Sequence, residues 1–169
     1  PLAAISPEIA DKTITLMAPS KTFNLPGFGC SFAIISNPEL RLRYKKACAG
    51  IVPDPPAMGF ALAEAAYRHG EPSRQRLLHY LRVNRDLALS RLVGIPGLFP
   101  FPVSATYLLW IDARGLAVEN PQQFFEEAGV GLSDGADFGS PGFLRLNLGC
   151  TRALLEQALD RMEQAVGAR

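Results

Sequence analysis

The chain has 169 residues, 48% of them hydrophobic, with 17 Lys and Arg against 16 Asp and Glu and a formal net charge of +1. That apolar fraction supports one domain or two small ones with a sizeable core, and it excludes a disordered chain. A charge this close to balance offers no polyanion-binding surface and no pull towards an acidic membrane, so nucleic acid and membrane partners are set aside.

Ser6-Pro7 followed by Glu8, Ile9 and Ala10 predicts a short capped helix. Ile14, Leu16 and Met17 give a short buried-strand pattern ending at Pro19, and Phe32 to Ile35 give a second one ending at Asn37-Pro38. Between them Ser20, Lys21, Thr22, Asn24, Pro26, Gly27 and Gly29 read as a shaped loop. Asn37-Pro38-Glu39 opens a helix whose Arg41, Arg43, Lys45 and Lys46 form a solvated face, and Ile51 to Pro56 is a stiff extended connector. A small-residue helix from Ala57 to Arg68 ends at Gly70, and a long amphipathic helix runs from Pro72 to about Leu92. His79 and Tyr80 on that helix receive no role.

The Pro- and Gly-rich stretch from Gly94 to Pro102 marks a domain transition, giving expected domains 1–93 and 94–169. Ala105 to Ile111 predicts a buried strand, Asn120-Pro121 starts a helix ending at Gly129, and Val130–Leu132 and Leu144–Leu148 predict short strands. Thr151 caps a last helix with Leu154, Leu155, Ala158, Leu159, Met162 and Val166 at helical spacing. The order predicts an α/β protein: strands and helices in a layer packed on its own helices.

Cys30, Cys48 and Cys150 are widely spaced, form no C-x-x-C pair and have only His69 and His79 as companions. A disulfide framework or metal site is not expected, and a reducing cytoplasm is. Apolar runs are broken by charge before the length of a membrane span, and Pro1–Lys12 shows no basic region followed by an apolar stretch. The abrupt start at Pro1, close to a strand, predicts a piece of a longer polypeptide.

Lys21 and Arg145 are the candidate chemistry. A lysine at a strand end against apolar walls loses solvation for its charge, which favours the neutral, nucleophilic amine. Lysine statistics alone favour a solvated loop residue instead. Arg145 sits in Phe143-Leu144-Arg145-Leu146-Asn147-Leu148, where alternation puts the leucines on one face and Arg145 with Asn147 on the other. A guanidinium on a strand presents donors that match a carboxylate in two parallel bonds, although an arginine on a half-exposed strand is by itself ordinary surface.

The segment APSKTFNLPG, followed by a second strand and NPELR, together with LSDGADFGSPGFLRLNLGCTR near the C-terminus, resembles fold-type I pyridoxal-phosphate enzymes. The likeness covers essentially the whole chain and is nearest to the cystathionine β-lyase or C–S lyase branch of the class I/II aminotransferase superfamily. It implies the C-terminal part of the type I aminotransferase fold: a remnant of the large cofactor domain, a long interdomain helix and a small α/β domain. It implies that Lys21 carries pyridoxal 5'-phosphate covalently and removes the substrate α-proton, that Ser20 is a phosphate ligand, and that Arg145 binds the α-carboxylate of an amino-acid substrate. The implied reaction is α,β-elimination of a cysteine thioether such as cystathionine to thiol, pyruvate and ammonia, in a parent that is a homodimer.

Alternatives stay open: a class I/II aminotransferase, which shares the early steps, or a non-enzyme, either a silent fragment or an aminotransferase-like regulatory or sensing domain that binds a cofactor or amino acid. Class I enzymes commonly place a small hydroxyl residue or glycine three residues before the lysine and an arginine eight residues after it, both for the cofactor phosphate; Ala18 and Gly29 stand there. Thr151 replaces the usual proline of the N-x-x-C-P-R segment. The family's phosphate loop, stacking aromatic and pyridine-pairing aspartate lie upstream of its lysine, and only twenty residues precede Lys21, so the chain alone is expected to be inactive. The Gly135-Ala136-Asp137-Phe138-Gly139 loop is expected to be a flexible lid, and Cys150 a packing residue.

Overall fold

A computed structural model describes residues 1–168. The chain divides into two compact units, Pro1–Arg76 and Leu77–Arg169.

In the first unit, α1 (Pro7–Asp11) is capped by Ser6, whose hydroxyl accepts from the Ile9 amide at 3.3 Å. Strands β1 (Thr15–Met17) and β2 (Phe32–Ile34) pair antiparallel, with Leu16 opposite Ala33. Helix α2 (Pro38–Cys48) starts at Asn37, which accepts from the amides of Glu39 and Leu40, and α3 (Ala57–His69) follows the proline connector. The predicted elements form, but the two strands differ from the buried pattern expected of them. Leu16 is 65% and Ile34 51% exposed, and only Ile35, just after β2, is buried. A two-stranded ladder buries little by itself, and of its apolar side chains Phe32 finds a partner in Tyr67 of α3.

The loop between β1 and β2 and the first residue of β2 both meet α3. Phe23 and Phe32 meet the Tyr67 ring edge-on at 5.5 and 6.0 Å, and Gly59 is buried where an added Cβ would run into the Phe28 carbonyl. Helix α3 therefore needs a residue without a side chain at Gly59.

Helix α4 (Glu71–Leu92) runs through the division between the units. The compact units divide within α4, and Asn84, Ala88 and Leu92, spaced one helical turn apart, are buried with the second unit.

The second unit is a four-stranded antiparallel sheet in the order β3 (Phe99–Pro100), β4 (Leu108–Asp112), β6 (Phe143–Asn147), β5 (Ser133–Asp134). Helix α5 (Pro121–Glu127) precedes β5, and α6 (Arg152–Gly167) follows β6. Leu109, Ile111, Leu144 and Leu146 alternate onto one face and pack with Leu92, Phe125, Leu155, Leu159 and Met162 into one core. β3 lies within the stretch read as a transition. β5 forms at Ser133–Asp134 where Val130–Leu132 is expected; Val130 and Leu132 are instead buried in the core cluster. Gly97, at φ 85°, and Gly115 approach so closely that a Cβ on Gly97 would lie 2.6 Å from the Gly115 carbonyl carbon.

Arg91 on α4 joins α6 through Glu163 at 2.5 and 2.7 Å and Asp160 at 2.7 Å. Hydrogen bonding from Arg91 holds the Glu163 carboxyl below its ordinary range, and the same pairing raises Arg91. A depressed carboxyl contributes stability above its unfolded-state pKa, about 4.3, and that contribution disappears as pH falls through the lower folded value. Both carboxylates are partly solvated, so the effect is about 1 kcal/mol or less. Urea unfolding of the wild type should therefore show a midpoint difference between pH 7 and pH 3 that shrinks in Arg91→Met. Gly59→Ala should lower the thermal midpoint by several degrees, a loss of about 1–3 kcal/mol, read by calorimetry.

Candidate active site

Lys21 and Ser20 belong to the first unit and Arg145 to the second. Each half is built by its own secondary structure.

β1 ends at Met17, and the chain turns at once: the Phe23 amide donates to the Pro19 carbonyl at 2.9 Å and the Leu25 amide to the Ser20 carbonyl at 2.8 Å. Asn24 at φ 54° and Gly27 at φ 93° carry the left-handed backbone that this turn requires. Pro19 is buried, Ser20 half-buried and Lys21 exposed. Among the described residues Lys21 has no ion pair or hydrogen-bonded side-chain partner. The apolar walls expected around its amine are not supplied by this unit. A cleft of about 530 Å³ flanks the strands, lined by Leu16, Ala18, Phe32, Tyr44, Cys48 and Pro53, and neither Ser20 nor Lys21 lines it. Gly29, where the resemblance leads to an expected arginine, sits at φ 47°. The backbone there suits glycine and would strain an arginine.

Arg145 lies at the centre of β6, opposite Trp110 of β4 and Ser133 of β5. Directly opposed residues of an antiparallel pair share a face, so these side chains stand together on the face away from Leu144 and Leu146. Nη2 of Arg145 donates to the Ser133 hydroxyl at 3.0 Å, and its guanidinium carbon lies 4.5 Å from the Phe138 ring centroid. Phe138 meets Trp110 edge-on at 5.9 Å, Trp110 stacks on Phe143 at 5.9 Å, and Arg114 covers Phe143 at 4.8 Å. The result is an aromatic row with a guanidinium at each end.

The two guanidinium groups differ in what they have left to offer. Arg114 is committed to Asp112 at 2.7 and 2.9 Å, and Asp112 is held below the usual carboxylate range chiefly by hydrogen bonding from Arg114. Arg145 is half-buried and among the described residues has no carboxylate partner; the rest of its fork is open. A half-buried guanidinium steadied by a hydroxyl and a ring face, with its charge uncompensated, is suited to a planar carboxylate.

The loop expected to be a flexible lid is a hydrogen-bonded turn. Asp134 caps it by accepting from the Ala136 amide at 2.9 Å, the Ser140 amide donates to the Gly135 carbonyl at 2.9 Å, and Gly139 takes φ 77°. The turn places Phe138 against Arg145. An open cleft of about 570 Å³ lies nearby, between α5 and β5, but its lining includes Glu119, Glu127 and Asp134. That lining repels a carboxylate and separates the cleft from the chemistry of Arg145. Burial raises the Cys150 thiol above its ordinary value, in keeping with a packing residue.

Ser133, Phe138 and Trp110 as partners of Arg145 were not visible in the sequence. Phe138 stands in the Gly135–Gly139 loop and Trp110 in the predicted strand from Ala105 to Ile111, but their meeting depends on the β4–β6–β5 register. In the complete polypeptide, Phe138→Ala should weaken a carboxylate ligand by about 3- to 10-fold, the size of one partly desolvated cation–π contact. Calorimetric titration should show this with little change in thermal midpoint, since Phe138 is 51% exposed.

The family model for aminotransferase class I and II matches residues 2–162. The chain is 35% identical over 166 residues to the cystathionine beta-lyase of Corynebacterium glutamicum, covering 95% of this chain and 44% of that protein. Its backbone matches the crystal structure of OvoB with a TM-score of 0.96 at 46% identity, over 99% of this chain and 44% of that one. It also matches cystalysin from Treponema denticola, whose structure contains a pyridoxal 5'-phosphate cofactor, with a TM-score of 0.89 at 30% identity, over 97% of this chain and 43% of that one. The chain thus spans less than half the length of the relatives it matches.

Proposed function

The chain belongs to the aminotransferase class I and II family, and from that membership we propose that it is the C-terminal part of a pyridoxal-phosphate-dependent C–S lyase. Residues 1–93 would belong to the cofactor domain and 94–169 form the small domain. The reaction is α,β-elimination of a cysteine thioether such as cystathionine to thiol, pyruvate and ammonia. The observation that carries this reading is the open guanidinium of Arg145, steadied by Ser133 and Phe138 on a rigid strand, in a chain whose relatives include a cystathionine β-lyase.

The donor set fits the cofactor in part. A primary amine on a turn fixed by Pro19 and Phe23, beside the Ser20 hydroxyl, has the chemistry to hold an aldehyde and one phosphate oxygen. Gly29 adds no side chain to a phosphate site. Pyridoxal phosphate, when bound, supplies the electron sink for charge left at the substrate α-carbon. Lys21 would hold the cofactor and, once its amine is free again, would accept the α-proton at Nζ; Ser20 would donate to the phosphate, and Arg145 would fix the substrate carboxylate in two parallel bonds. That fixation sets the orientation in which the α-proton faces a base.

Two wider features belong to the same proposal: the complete protein works in the cytoplasm and as a homodimer. Among the described residues no helix is long and apolar enough to cross a membrane, and Cys30, Cys48 and Cys150 are free thiols. A second reading, an aminotransferase, is supported by the family itself. The glycine at position 29, with its backbone at φ 47°, supports a third, a sensing domain that binds cofactor or amino acid weakly.

Borohydride treatment of the complete polypeptide after incubation with pyridoxal phosphate should leave the reduced cofactor mass on the Lys21 peptide, and Lys21→Ala should remove both the label and activity. Absence of label in the wild type would overturn the enzyme reading. With cystathionine as substrate, pyruvate should form without an amino acceptor; keto acid that needs an acceptor would establish transamination instead. Arg145→Ala should raise KM by about 10- to 100-fold, the loss of a charge-assisted pair of roughly 1.5–3 kcal/mol.

A further inference from the structure

Asn84 is fully buried, the one polar side chain among the buried residues described, on an α4 face otherwise made of Ala88 and Leu92. An amide in an apolar layer is costly unless its donors and acceptor are used. Here they are: Nδ2 donates to the carbonyls of Leu148 at 3.1 Å and Cys150 at 3.0 Å, and Oδ1 accepts from Nε of Arg152 at 3.1 Å. Two carbonyls on one side and a guanidinium on the other fix the orientation of the amide, because only the nitrogen can donate and only the oxygen can accept.

Every one of these contacts falls on the segment that leaves β6. The Leu148 amide is itself bonded to the Tyr107 carbonyl at 2.7 Å, so the Leu148 peptide is held on both sides. One turn earlier on α4, the Tyr80 hydroxyl accepts from the Arg152 amide at 2.7 Å, and the Arg152 guanidinium lies 5.5 Å from the Tyr80 ring centroid. Beyond Leu148 the ladder ends, and among the described residues it is α4 that holds the Cys150 carbonyl and the Arg152 amide. Arg145 stands three residues before this anchored point, on a strand whose side chains must stay opposite Trp110 and Ser133.

We propose that Asn84 is a positioning residue for Arg145: by pinning the exit of β6 to α4 it fixes where the guanidinium presents its open donors. The inference rests on the reading of Arg145 as the carboxylate ligand. Two parallel bonds to a carboxylate require the guanidinium in one position and tilt, so a remote anchor of this kind acts on substrate binding without touching substrate.

The test is a double-mutant cycle in the complete polypeptide, with cystathionine as substrate. Asn84→Asp keeps the shape of the side chain and its acceptor for Arg152, but turns an oxygen towards two carbonyls. It should raise KM about tenfold, equivalent to roughly 1.4 kcal/mol, with kcat changed less than twofold. Combined with Arg145→Ala it should add nothing further to KM, because the group it positions is gone. Independent, additive effects in the cycle, or an unchanged KM in Asn84→Asp, would overturn the positioning role. An unchanged KM in Arg145→Ala alone would instead overturn the carboxylate reading, so the two failures are distinguishable. Should Asn84→Asp not fold, Tyr80→Phe, at a position 39% exposed, removes only the hydroxyl. It should raise KM about threefold in the wild-type background and not at all beside Arg145→Ala; additivity there would count against the proposal in the same way.

Discussion

The antiparallel register of β4, β6 and β5 is the constraint on which the second unit depends. With Leu109 opposite Leu146 and Ile111 opposite Leu144, the leucine and isoleucine side chains all turn into the core, and the same register puts Arg145 between Trp110 and Ser133 on the other face. A slip of one residue would bury the guanidinium and expose the leucines together. Burial of the apolar face therefore fixes the position of the charge, and hydrophobic packing and the proposed carboxylate recognition share one geometric cause.

Around that register the structure uses polar contacts sparingly and at fixed points. Arg91 with Glu163 and Asp160 ties α4 to α6 at the rim, where solvent weakens the pair, while Asn84 works inside the layer, where each amide atom has a partner. Arg114 and Arg145 cap the two ends of one aromatic row, yet Arg114 is neutralised by Asp112 and Arg145 is not. The difference lies in partners, not in residue type: one guanidinium is committed to the Asp112 carboxylate, and the other is left for the proposed substrate carboxylate.

The first unit is organised differently. Its two strands carry exposed apolar side chains, its buried hydrophobic residues among those described are Ile35 and Ala63, and the Lys21 turn takes its shape from Phe23 and Phe32 on Tyr67 and from the bare backbone of Gly59. A lysine on such a turn is exposed, so its local environment does not do the work of desolvation. In a chain that spans less than half the length of its relatives, the proposed cofactor chemistry needs groups beyond those of the Lys21 turn.

The elements themselves were legible in the amino-acid order. Asn37-Pro38, Asn120-Pro121 and Thr151 start helices because their side chains satisfy the first free amides locally, and the alternation in Phe143–Leu148 separates Arg145 from the leucines without any distant contact. The S-K-T-F-N and G-F-L-R-L-N segments likewise carried the family likeness on their own. Tertiary structure decided the rest: that Val130 and Leu132 fill the core and leave the strand to Ser133–Asp134, that Leu16 and Ile34 stay exposed, that the Gly135–Gly139 loop is a capped turn, and that Phe138, Trp110 and Ser133 surround Arg145. Those outcomes depend on which strand pairs with which and in what register, a choice made by burying many side chains at once, and such a choice cannot be read from any one stretch of sequence.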